Sequence, residues 1–87
     1  MVKLSASEIA ARIAGIGAQI SEKHGYTSRV YGHKYINLVK EIADGIVDAG
    51  FENSITLEVL DFLTEWNCHT EVQAARLVRY ALFSWVS

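Results

Sequence analysis

Proline is absent from the 87 residues, cysteine and methionine occur once each, no acidic residue stands between Lys23 and Lys40, and no lysine or arginine stands between Glu41 and Glu71. Each absence excludes something. Without proline no helix interior loses an amide donor, and punctuation falls to glycine. The single cysteine, Cys68, has no partner for an internal disulfide, so the fold does not rest on oxidation and a reducing, cytoplasmic setting is expected. No run approaches the roughly 18 apolar residues of a membrane span: the N-terminal apolar stretch is interrupted by Glu8 and Arg12 and dominated by Ala and Gly. A soluble chain without a membrane partner is the expectation. No alternating β-branched strand pattern, internal repeat or low-complexity tract is present.

What is present is helical rhythm. A chain of this length makes one small domain, 1–87, and its 51% hydrophobic content exceeds what a lone domain of this size needs. That excess points to a self-associating surface or an apolar partner site, so a homo-oligomer is expected. Ser5 with Glu8 forms a capping box and Leu4 with Ile9 a hydrophobic staple, which start helix 1. Ile9, Ile13, Ile16 and Ile20 then share one stripe, flanked by Ala10, Ala14, Gly17 and Ala18, which would admit a close neighbour. Gly25 and Gly50 each follow a periodic stretch and read as helix ends. Helix 2 is predicted from Thr27 or Ser28 with Tyr31, Tyr35, Leu38, Ile42 and Ile46 inward. Helix 3 is predicted from Ser54 or Thr56 to Trp66, its wide apolar arc placing it centrally. Helix 4 is predicted to open on a Thr70–Gln73 capping box, with Leu77, Val78, Ala81, Leu82 and Trp85 inward. The fold class is all-α, a small bundle of four helices.

Charge is sorted along this bundle. Glu41, Asp44, Asp48 and Glu52 fall at spacings that place them on one line of helix 2, away from Val39, Ile42 and Ile46, and Glu58, Asp61 and Glu65 repeat the arrangement on helix 3. The plainer reading is a pair of solvated faces. Yet such faces usually interleave lysine with glutamate, whereas like charges at this spacing repel by a few tenths of a kcal/mol per pair. A partner protein with a basic surface would relieve that repulsion. Were helices 2 and 3 side by side, the two rows would also imitate the phosphate rows of a nucleic acid.

The opposing pole interleaves cations with rings: Lys23, His24, Tyr26, Arg29, Tyr31, His33, Lys34 and Tyr35. Tyr26, Arg29, Tyr31, His33 and Lys34 suit a partner contact or an oligomer interface. The plainer reading puts Tyr31 and Tyr35 in the core and Lys23 and His24 at a helix C-terminus, where cations are favoured. Arg76, Arg79, Tyr80 and Phe83 cluster on helix 4, with Phe83 a candidate anchor.

Chemical readings find little footing. Helices 3 and 4 outline a helix-turn-helix, with Gln73, Arg76 and Tyr80 as contacts, but Phe62 and Leu63 are bulky, the Asn67-Cys68-His69 turn lacks glycine, and the carboxylates would face phosphates. His24, His33, Cys68 and His69 show no zinc spacing, and Asp44 to Glu52 lacks the alternating oxygen ligands of a calcium loop. No metal, cofactor or catalytic residue is expected, and no enzyme. In style alone, not in sequence, the chain resembles small phage or mobile-element accessory proteins, anti-CRISPR-type inhibitors among them, and small bacterial adaptors. The expected function is therefore protein binding of inhibitor or adaptor type through the acidic faces. The alternative is a nucleic-acid-binding regulator using helices 3 and 4 or the basic segment 23–40.

Overall fold

The computed structural model describes residues 4–25 and 32–86, with side chains as far as residue 80. Tyr26, Arg29 and Tyr31, the expected start of helix 2 at Thr27 or Ser28, and the side chains of Ala81, Leu82, Phe83 and Trp85 lie outside the described residues. Among the described residues there are four helices and no strand: α1 (Ala6–Lys23), α2 (His33–Asp48), α3 (Leu57–Glu65) and α4 (His69–Val86). The all-α bundle read from the sequence is what forms.

Local chemistry sets the boundaries. Ser5 caps α1 as read, its Oγ accepting from the Glu8 amide at 3.3 Å, but the reciprocal half of the capping box is not made: the Glu8 carboxylate accepts from the Ser5 hydroxyl at 3.3 Å. Gly32 caps α2 with φ +66° and ψ −137°, a conformation open to glycine and costly for other residues. It therefore stands before the first turn of α2 and not within it. α2 ends as its sequence suggests: Gly50 takes φ +81°, its amide donates to Val47 at 2.9 Å, and the Phe51 amide donates to Ile46 at 3.1 Å, a Schellman closure.

The turn from α3 to α4 corrects two expectations. Asn67 takes φ +61° and does the work expected of glycine, its amide donating to Thr64 at 3.0 Å while the Cys68 amide donates to Leu63 at 2.9 Å. The missing glycine is thus no argument against a tight helical corner. The Cys68 carbonyl then accepts from the Val72 amide at 2.9 Å, so α4 begins at His69 and Thr70 lies inside its first turn instead of capping it.

The core takes side chains from every helix: Ile13 from α1, Leu38, Ile42 and Ile46 from α2, Val59, Leu60 and Leu63 from α3, and Val72 and Val78 from α4. Among the described residues no polar or charged residue is fully buried. Ala74 and Ala75 of α4 are completely enclosed, and their small side chains let neighbouring helices come close. α1 and α4 each contact the other three helices, whereas α2 and α3 do not contact one another. The expectation of a central α3 is corrected accordingly: like α2 it contacts only α1 and α4 among the helices, and those two stand between α2 and α3. The arc of α3 looks wide because its outer apolar residues, Leu57 and Trp66, remain exposed. Leu77 is a second correction, 43% exposed on α4 and not inward. No helix among the described residues is long and apolar enough to cross a membrane.

Candidate functional site

The acidic row on α2 is shorter and less isolated than its spacing suggests. Glu41, Asp44 and Asp48 are exposed on the helix, but the chain turns at Gly50, so Glu52 leaves the row and is half-buried. Its Oε2 is shielded from solvent and finds no hydrogen-bond partner among the described residues. Glu41 is engaged by the His24 ring at the end of α1, so one carboxylate of the row already has a partner within the chain. Such an exposed pair contributes at most about 1 kcal/mol. With α2 and α3 out of contact, the two rows are not neighbours and no double row of phosphate-like charge forms.

On α3 the acidic row has company. Glu58, Asp61 and Glu65 are exposed, and Leu57 and Trp66 flank them at 68% and 42% exposure. The spacing of three and four residues puts Glu58, Asp61 and Glu65 on one outward side of the helix with Leu57 at one edge, while Trp66, at the C-cap and half a turn round from Leu57, borders the other edge. Phe62, half-buried beneath, meets the Trp66 ring at a centroid distance of 5.7 Å and a tilt of 41°, which steadies the indole. No basic residue occurs from Leu57 to Glu65. The result is an acidic helix face with two large apolar groups open to solvent.

The opposite chemistry gathers between α2 and α4. A groove of about 500 Å³ opens there over Ile36, Val39 and Leu77, with the rings of Tyr35 and Tyr80 beside them and Lys40, Arg76 and Gln73 completing the wall. Ile36 is 49% exposed and Tyr80 73%. Among the described residues no carboxylate lines the groove. Of the cationic and aromatic residues singled out in the sequence, Tyr35, Arg76 and Tyr80 are brought together here. His33 and Lys34 are exposed in the first turn of α2, and Arg79 is half-buried on α4 and makes interactions of its own. The groove was not legible as a site, because the rhythm of α4 assigns Leu77 to the core; its exposed side is decided by where α2 packs.

A titrating group lies where α4 meets α1. The Glu71 carboxylate rests against Gly17, in the space a Cβ there would occupy. Burial pushes the Glu71 carboxyl up from its ordinary range, outweighing the downward pull of a bond to its own backbone amide and of His69. The Cys68 thiol is raised too, by burial first and by Glu71 second, which works against thiolate formation. Because the folded chain holds the Glu71 proton to a higher pH than the unfolded chain does, stability falls as pH rises from the unfolded carboxyl value through the folded one. Glu71→Gln is expected to raise the melting temperature at pH 7, with the gain shrinking as pH falls below the ordinary carboxyl range, where the proton is held in folded and unfolded chains alike. Melting curves at pH 7 and below that range check this, and an equal gain at both would show that packing and not charge is responsible.

Among the described residues no group of three His, Cys, Asp or Glu side chains is placed to hold a metal ion. Comparison of the chain with models of known protein families, with curated proteins and with solved structures finds no match in any of the three.

Proposed function

We propose that the protein is a non-enzymatic binding module, of inhibitor or adaptor type, which docks a partner protein with a basic and partly apolar surface through the outward face of α3. The observation that carries this reading is the pairing of Leu57, 68% exposed, with Glu58, Asp61 and Glu65 on the same side of one helix, the exposed Trp66 bordering the far edge. Fully burying one such apolar side chain is favourable by roughly 1.5–3 kcal/mol, enough to anchor a contact, while the carboxylates steer a basic surface into place and disfavour an acidic one. The α2 row is the lesser candidate, since Glu41 is already paired with His24 and Glu52 has turned away. A compact face of this kind suits occlusion of a partner's own binding surface, as small inhibitors and adaptors require.

The test is affinity capture from the native host with wild-type protein, the α3 variant Leu57→Ser/Asp61→Lys/Glu65→Lys and the α2 variant Asp44→Lys/Asp48→Lys. Circular dichroism establishes that each variant is folded. The expected result is a partner retained by wild type and the α2 variant, lost from the α3 variant, and weakened by salt. Equal capture by all three removes the α3 reading. The nucleic-acid alternative is less favoured, because α3 would carry three carboxylates towards phosphates beside α4. A mobility shift with DNA or RNA at low salt, unaffected by the α3 reversal, would reinstate it.

A further inference from the structure

We propose that the basic, partly apolar surface which fits the α3 face is the α2–α4 groove of a second copy of the same chain, so that copies join head to tail. The inference rests on the reading of α3 as a docking face and names its occupant. The two surfaces match in kind. The groove offers Ile36, Leu77 and the Tyr80 ring as exposed apolar contacts with Lys40 and Arg76 at its sides, and α3 offers Leu57 beside Asp61, Glu65 and Glu58. They match in length as well: nine residues of α3 extend roughly 14 Å at 1.5 Å per residue, and the eight residues of α4 from Gln73 to Tyr80 that line the groove extend roughly 12 Å.

Charge decides which surfaces meet. Among the described residues the groove has no carboxylate in its lining and α3 has no cation in its sequence, so groove against groove, or α3 against α3, would bring like charges together. Only the unlike pairing joins opposite charges while covering apolar groups on both sides. Because no residue of α3 lines the groove, the two surfaces of one copy are distinct and both can be occupied at once. The contact is therefore heterologous and propagates into a ring or an open chain, unlike a two-fold dimer that consumes one self-complementary patch.

The experiment is sedimentation velocity over a concentration series, at low and high salt, with two variants confirmed as folded by circular dichroism. One carries Arg76→Glu/Leu77→Ser in the groove and the other Leu57→Ser/Asp61→Asn on α3; the four positions are exposed, so the core is untouched. Wild type is expected to grow beyond a dimer as concentration rises, and less so in high salt. Each variant alone is expected to sediment as a monomer. An equimolar mixture is expected to give a one-to-one complex and nothing larger, since it retains one intact α3 face and one intact groove. A monomeric wild type, a dimer sensitive to the groove variant alone, or a mixture that stays monomeric would each overturn head-to-tail joining. If wild type is monomeric while the α3 variant still loses a captured partner, self-assembly fails and α3 docking stands; if the α3 variant changes neither assembly nor capture, both fail.

Discussion

Truncating Ile42 to alanine is expected to lower the unfolding free energy by about 2–5 kcal/mol, the usual range for removing a fully buried branched side chain. Ile42 has no solvent-accessible surface and lies on the side of α2 that meets the rest of the bundle, between Leu38 and Ile46. A domain of this length is stable by only about 4–13 kcal/mol at roughly 0.05–0.15 kcal/mol per residue, so the loss consumes a large part of the total. The control is Val47, on the same helix, 47% exposed and outside the α2–α4 groove, whose truncation is expected to cost under about 1 kcal/mol. Urea denaturation at a fixed protein concentration compares the two, with the slope expected to stay constant while the midpoint moves. Equal losses at both positions would mean that α2 does not present the described face to the core.

Enlarging Gly45 to valine is expected to cost about 1–3 kcal/mol, although valine is the better helix former. A Cβ at position 45 would stand 2.8 Å from the Ile16 Cγ2 atom and 3.3 Å from the Ile20 Cδ1 atom, both inside ordinary contact distance. Ile16 is β-branched and held to one χ1 rotamer within α1, so its methyl has little room to withdraw and the helices must part instead. Two further methyl groups enlarge the conflict. Pairing the change with Ile16→Ala should return part of the loss, and a double-mutant cycle measured by thermal or urea unfolding reads that coupling. Strict additivity would show that positions 16 and 45 do not meet.

Much of this architecture is written in local sequence because local groups create it. Ser5 and Glu8 satisfy donors within one turn, and Gly50 takes a backbone conformation that depends only on its own lack of a Cβ. Where such signals failed, a backbone group or a tertiary neighbour had the deciding role. Thr70 has the right side chain for a cap, yet the Cys68 carbonyl closes the first hydrogen bond, and a cysteine gives no side-chain signal for that. Asn67 replaces the expected glycine because its short polar side chain tolerates the left-handed region. Glu52 continues the numerical rhythm of the α2 row, but the rhythm has no meaning past Gly50, where the chain leaves the helix. The candidate surfaces were half legible. The carboxylates of α3 were visible by spacing, whereas the exposure of Leu57, Trp66 and Leu77 depends on which sides α1, α2 and α4 cover, and no periodicity within one helix carries that information.

Cys68 belongs to two helices at once: its amide closes α3 and its carbonyl opens α4. The corner therefore works as a gear with no free play. One residue inserted between Glu65 and His69 would turn α4 by about 100° about its axis, the angle per residue of an α-helix, carrying Val78 out of the core and Arg76 and Leu77 away from α2. Length variation is tolerable at many surface turns but not at this one. The angular setting between the α3 face and the α4 half of the groove is fixed by one backbone joint, and in a head-to-tail assembly that setting would determine the pitch at which successive copies wind.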